Sequence, residues 1–153
     1  MRRTDKEITD KTLIDKILTE AETIRIAMVD NESPYLVAMN YAYVDDCIYM
    51  HSAKEGRKID ILRKNNRVAF QVDTGVELVI KDVACSCSTK YLSVFGTGKA
   101  SFVENNRDKE KALDAIMTKH TGKAEFEYPE KALEKTIIIK VKIESMTGKK
   151  SGY

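Results

Sequence analysis

The sequence predicts a mainly β protein, an antiparallel barrel with helices packed against its outside, and three observations lead there. Several runs alternate apolar and polar residues with the period of a half-buried strand, rich in Val, Ile, Thr and Tyr. Most neighbouring runs are separated only by short turns, so hairpin connections dominate. Helical periodicity is confined to three or so segments, whereas a doubly wound parallel sheet requires strand and helix to alternate throughout.

The elements follow in order. Residues 10–22 read as an amphipathic helix, because Leu13, Ile14, Ile17, Leu18 and Ala21 share one face and Asp10 can cap its start. Residues 23–29 alternate as a strand, and the D-N-E-S-P stretch after them is a turn. Residues 35–44 read as one long strand, turning at Asp45-Asp46 into a partner at 47–52, although the Gly usual in such a turn is missing. Ile59 and Leu62 give a short helix its apolar contacts, ended by Asn65-Asn66. Strands follow at 67–73 and 76–83, with Thr74-Gly75 between them, and at 91–103, where two glycines mark a bulge or a close backbone approach. A second helix spans 107–121 with Ala112, Leu113, Ile116 and Met117 on one face and Gly122 as its stop; Pro129 opens a helical turn reaching Leu133. The last strand is 136–146, leaving 147–153 as a loose tail. The tally is six or seven strands within one domain spanning 1–153.

Composition narrows the function classes. The chain has 153 residues, 42% apolar and 33% charged, which is the balance of a globular domain and not of a disordered one. A net charge of +2 demands neither a nucleic acid nor an anionic membrane as partner. No apolar run approaches the roughly 20 residues needed to span a bilayer, and the first residues lack the apolar centre of a signal peptide, so a cytoplasmic location is expected. Three cysteines then imply reduced thiols. Cys85 and Cys87 have no second pair, and His51 and His120 stand at no recognisable ligand spacing, so the two read as loop thiols and no metal site is expected.

The stretch that carries chemistry runs from His51 to Lys58, H-S-A-K-E-G-R-K. A strand ends in small polar residues, Gly56 loosens the chain, and two cations open a helix. Helix-start amides, the Ser52 hydroxyl and the charges of Arg57 and Lys58 together suit an anion such as phosphate. The bland alternative is a solvated basic surface, as Arg2-Arg3 and Lys149-Lys150 are read. Neither the G-x-G-x-x-G nor the Walker A cradle is present.

At these residues a resemblance appears. The run 48–73 resembles the phosphate-binding block of the pyridoxamine 5'-phosphate oxidase-like flavin split barrels, and more narrowly their nitroimidazole-reductase branch. That branch has an R-x-A strand, a P-Y-x-V strand, the H-S-A-x-x-G-R-K block and S-V-x-G-x-G. Here these are Arg25-Ile26-Ala27, Pro34-Tyr35-Leu36-Val37, His51 to Lys58, and Ser93-Val94-Phe95-Gly96-Thr97-Gly98. Each block is weak alone; their ordered combination is fairly specific. The resemblance implies a six-stranded antiparallel split β-barrel, FMN as cofactor, and a homodimer with two flavins at the subunit interface. It places Arg57 and Lys58 on the phosphate and has Ser52, Ala53 and Gly56 shape the loop. Val37, Ala38, Met39 and Asn40 would run along the flavin ring, Met50 and His51 would lie beside the ring or ribityl chain, and Ser93 would make a polar contact.

The departures also inform. Ala38-Met39 stands where that branch often has a second Pro, and the C-terminal Trp and Arg with which pyridoxamine oxidases hold substrate have no counterpart, Trp being absent. Thr147-Gly148-Lys149 resembles the family's ending, with no role assigned to Lys149. His51 is the one side chain singled out as a proton source; its plainer role is a hydrogen bond to cofactor or backbone. Tyr41, Tyr43 and Tyr49, with Met28 and Met39, read as barrel packing. The implied activity is FMN-dependent reduction of a small compound such as a nitroimidazole, its electron donor unspecified. The competing expectation is a flavin- or haem-binding module without turnover, with His51 or His120 as a haem ligand.

Overall fold

In the computed structural model, which describes residues 3–153, all strands join one antiparallel sheet curled around the core. The described elements are β1 (Glu7–Ile8), α1 (Lys11–Glu20), β2 (Thr23–Asp30), β3 (Ser33–Asn40), β4 (Ala42–Val44), β5 (Cys47–Ala53), α2 (Arg57–Lys64), β6 (Arg67–Val79), β7 (Ser88–Val103), α3 (Asn106–Thr121), α4 (Glu130–Lys135) and β8 (Thr136–Ser151). The strand order is β3-β2-β6-β7-β8-β5-β4, with β1 added beside β8. Against the seven runs read from sequence, the chain breaks one in two, adds the short β1 and joins two into β6, giving eight strands and not the six of the barrel that the resemblance implies. Arg2 lies outside the described residues.

The expected strand at 35–44 is two strands belonging to opposite ends of the sheet. β3 pairs with β2 and β4 pairs with β5, so the chain crosses between them at Tyr41. Tyr41 is fully buried there, and its hydroxyl donates to the Leu18 carbonyl at 2.6 Å. β3 and β5 approach one another without pairing, which leaves the barrel split along this seam. The turn from β4 to β5 does without glycine: Asp45 and Asp46 both take positive φ, 50° and 57°, as a tight hairpin turn needs. Asp46 is held by the Tyr43 hydroxyl at 2.9 Å and by Lys11 at 3.0 Å.

The break expected at Thr74-Gly75 is a bulge instead. β6 runs through it, with a register shift between Thr74 and Glu77 and Gly75 at φ 61°, because the unbroken β7 carries the ladder across. The tail expected to be loose is also structured. Residues 147–151 continue β8 as the partner of β7, with Gly148 opposite both Val94 and Ile8, and the Tyr153 hydroxyl donates to the Gly75 carbonyl at 2.6 Å.

Helix ends follow their caps. The Asp10 side chain accepts from the Thr12 amide at 2.9 Å, and α1 buries Ile14, Ile17 and Leu18; the helix is shorter than the expected 10–22. The Asn105 side chain caps α3, and Gly122 ends it at φ 70°. The barrel interior is filled by alternate residues of the long strands, Ile24, Ile26 and Met28 against Val68, Phe70, Val72, Val94, Ile139 and Val141. No described helix is long and apolar enough to cross a membrane.

Candidate functional site

β5 delivers the predicted phosphate loop. Its residues alternate, so Met50 and Ser52 point inward while His51 and Ala53 face outward and are exposed. Met50 is fully buried among core residues, so its side chain packs the barrel interior, a correction to the ring contact expected of it. Ser52 is 7% exposed, and its Oγ is the one buried side-chain polar atom without a hydrogen-bond partner among the described residues. An unpartnered buried hydroxyl costs about 1–3 kcal/mol, so its place beside this loop needs a reason.

Gly56 then turns the chain at φ 121°, a conformation that residues with a Cβ rarely adopt. No side chain caps α2, and with the Ile59 amide bonded to the Gly56 carbonyl at 2.9 Å, the amides of Arg57 and Lys58 and the positive end of the helix dipole are left for an anion. Arg57 and Lys58 form that first turn. Lys58 is half-buried and makes no ion pair among the described residues. Arg57 is more engaged than the sequence suggested. Its Nε donates to Asp30 Oδ2 at 3.1 Å, and its guanidinium carbon stands 4.6 Å from the centre of the Tyr35 ring. Asp30 ends β2 and Tyr35 lies on β3, so the loop is tied to the hairpin across the seam. Asp30 was not singled out in the sequence: nothing local distinguishes it from any acidic residue before a turn.

β3 is an end strand of the sheet, so a row of its backbone groups faces away from β2. Val37 and Met39 lean on the core, while Ala38 and Asn40 face outward. Asn40 lines a polar cleft of about 350 Å³ with Thr19, Glu20, Glu22, Thr23, Lys119 and His120. Lys119 Nζ lies 3.2 Å from the Tyr41 ring centre and donates to the Leu18 carbonyl at 3.3 Å; burial pulls its ammonium down to about 8.

Ser93 is not brought to this loop. It pairs with Lys149 of β8, whereas Ser52 pairs with Ile137, twelve residues away along the same strand. Ser93 lines instead a cleft of about 360 Å³ with Gln71, Asp73, Val76, Tyr91 and Lys149. Nearby, the outer face of β2, β3, β6 and β7 exposes Leu36 and Phe95, 61% and 51% accessible, around Ala27 and Ala69. Cys85 and Cys87 are free, exposed thiols between β6 and β7.

An antiparallel barrel split along one seam, with an anion-suited loop beside it, defines the split-barrel class of cofactor-binding folds. The family model described as pyridoxamine 5'-phosphate oxidase matches residues 10–150, and the chain belongs to that family. Among solved structures it is similar to a candidate 5-nitroimidazole antibiotic resistance protein from Bacteroides thetaiotaomicron, with 38% identity over 94% of this chain and 85% of that one, TM-score 0.84. Two more distant likenesses show the fold alone. One is the FAD and haem binding protein from Mycobacterium smegmatis, 18% identical over 97% of this chain and 74% of that one, TM-score 0.84. The other is an FAD-binding protein from Mesorhizobium loti, 24% identical over 94% and 96%, TM-score 0.70. No curated protein matches the sequence.

Proposed function

We propose that the protein is a cytoplasmic FMN-dependent oxidoreductase that reduces a small compound, a nitroimidazole being the favoured class, and that it works as a homodimer. The observation that carries the cofactor is the orphaned Ser52 Oγ beside the uncapped start of α2, where Arg57 and Lys58 add fixed positive charge. An FMN phosphate supplies the acceptors those groups lack: Ser52 donates one hydrogen bond, the first-turn amides donate others, and Arg57 can grip two oxygens. The outward backbone edge of β3 from Val37 to Asn40 suits the polar edge of a flavin ring. Bound there, a flavin supplies the hydride and electron chemistry. His51, outward-facing and adjacent to Ser52, is the side chain we assign as proton donor to a reducible substrate.

Two observations support the dimer. The exposed apolar face around Leu36 and Phe95 suits burial against a second copy. Ser93 and Ser52 pair with positions twelve residues apart on β8, an arrangement that a contact to the flavin from a second subunit would accommodate. Similarity to the candidate resistance protein supports the substrate class.

The test begins with an absorbance spectrum of the purified protein, expected to show flavin bands and, on release, FMN. A Soret band would indicate a haem module instead. Arg57→Ala with Lys58→Ala is expected to purify colourless yet folded, since neither side chain supports the core. Retention of yellow colour by that variant would refute the phosphate assignment. Flavin-loaded protein should be reduced by NADH or NADPH and then reduce a nitroimidazole; no turnover with either donor would refute the enzyme reading.

A further inference from the structure

We propose, resting on the flavin-phosphate reading above, that Asp30 and Tyr35 are positioning residues that aim the terminal edge of the Arg57 guanidinium at the flavin's phosphomonoester. Three separate elements meet in this cluster: the end of β2, the start of β3 and the first turn of α2. Asp30 Oδ2 accepts from Nε at 3.1 Å, its only hydrogen bond to Arg57. A guanidinium carries five N–H groups, and engagement at Nε leaves the four on Nη1 and Nη2 for two oxygens of a phosphate. The Tyr35 ring supports the plane of the guanidinium at 4.6 Å, and that ring is itself fixed by packing against the core. The two contacts together restrict the tilt and the rotation of a long side chain that is 59% exposed.

Asp30 has two opposed effects. Its carboxylate cancels part of the positive charge that attracts a phosphate, which weakens binding. It also spares Arg57 the ordering cost of gripping a ligand, which for a free arginine amounts to roughly tenfold in affinity. Geometry decides between them: a carboxylate competing for the phosphate's place would take the Nη edge, and this one takes Nε.

The experiment compares dissociation constants for FMN and for riboflavin, which lacks the phosphate, in wild type and variants. Asp30→Asn is expected to weaken FMN roughly five- to tenfold and leave riboflavin unchanged. Tyr35→Phe, which keeps the ring face, should bind as wild type, and Tyr35→Ala should weaken FMN alone. In an Arg57→Ala background, Asp30→Asn should have no further effect. Unchanged or tighter FMN binding by Asp30→Asn, equal weakening of both ligands, or a full Asp30→Asn effect without Arg57 would each overturn the positioning role while leaving the flavin reading intact. Failure of the wild type to bind FMN would defeat both.

Discussion

Replacing Ser52 with alanine separates a ligand-directed hydroxyl from a structural one, because the two roles predict opposite signs in the free protein. Ser52 Oγ is buried without a partner, and such a group costs about 1–3 kcal/mol. Deleting one oxygen removes that penalty and leaves a void smaller than a methyl group, so the cofactor-free variant should gain about 1 kcal/mol. For a chain of this length that is a rise in Tm of roughly 2–4 °C. With FMN present, the variant loses a hydrogen bond to a charged phosphate, about 1.5–3 kcal/mol, or roughly ten- to a hundredfold in affinity. Thermal unfolding of the cofactor-free forms and titration by flavin fluorescence give the two quantities. A variant that melts lower without cofactor, yet binds FMN as tightly as wild type, would refute the argument, since the hydroxyl would then be satisfied within the fold.

Other outcomes follow from the same structure. Gly148→Ala would set a Cβ 2.7 Å from the Ile8 Cβ and 3.2 Å from Ile14 Cγ1, so it should lower stability by about 1–3 kcal/mol in urea unfolding; wild-type stability would mean that the C-terminal strand does not pack on β1 and α1. Leu36→Glu combined with Phe95→Glu should convert a dimer into a monomer by light scattering, with unchanged circular dichroism. Lys119 gives a pH dependence. Burial holds its folded-state pKa near 8, below the unfolded value of 10.5, so the folded state binds fewer protons between the two and stability rises with pH through that window. Tm should therefore climb between pH 8 and 9.5, before buried Tyr41, whose phenol is held above its usual range, opposes the trend. Lys119→Met should reduce the climb to what Lys109, whose ammonium burial also lowers, contributes; an unchanged climb would assign it wholly to another group.

The elements were legible wherever a local signal exists. The Asp10 cap, Gly122 and the alternation of β2 are each properties of a few consecutive residues, and physics at that range writes directly into sequence. So did the anion loop: Ser52, Gly56, Arg57 and Lys58 lie within seven residues, and a strand-to-helix turn brings them together without help from the rest of the chain. The structure places His51 and Ser52 on opposite faces of β5 and gives the Met50 side chain to the core, neither of which was read from the sequence.

What only the tertiary structure decided depends on partners distant in the chain. Whether 35–44 is one strand or two depends on which neighbours its halves find, and pairing with β2 and with β5 puts those halves at opposite ends of the sheet. Whether Thr74-Gly75 turns or bulges depends on β7, and whether 147–151 is loose depends on β1 and β7. The grip of Asp30 and Tyr35 on Arg57 spans more than twenty residues of sequence, and the separation of Ser93 from Ser52 is a matter of sheet register. Local sequence sets the backbone torsions and the pattern of burial; pairing across the sheet chooses among the arrangements those torsions allow, and that choice assembles the site.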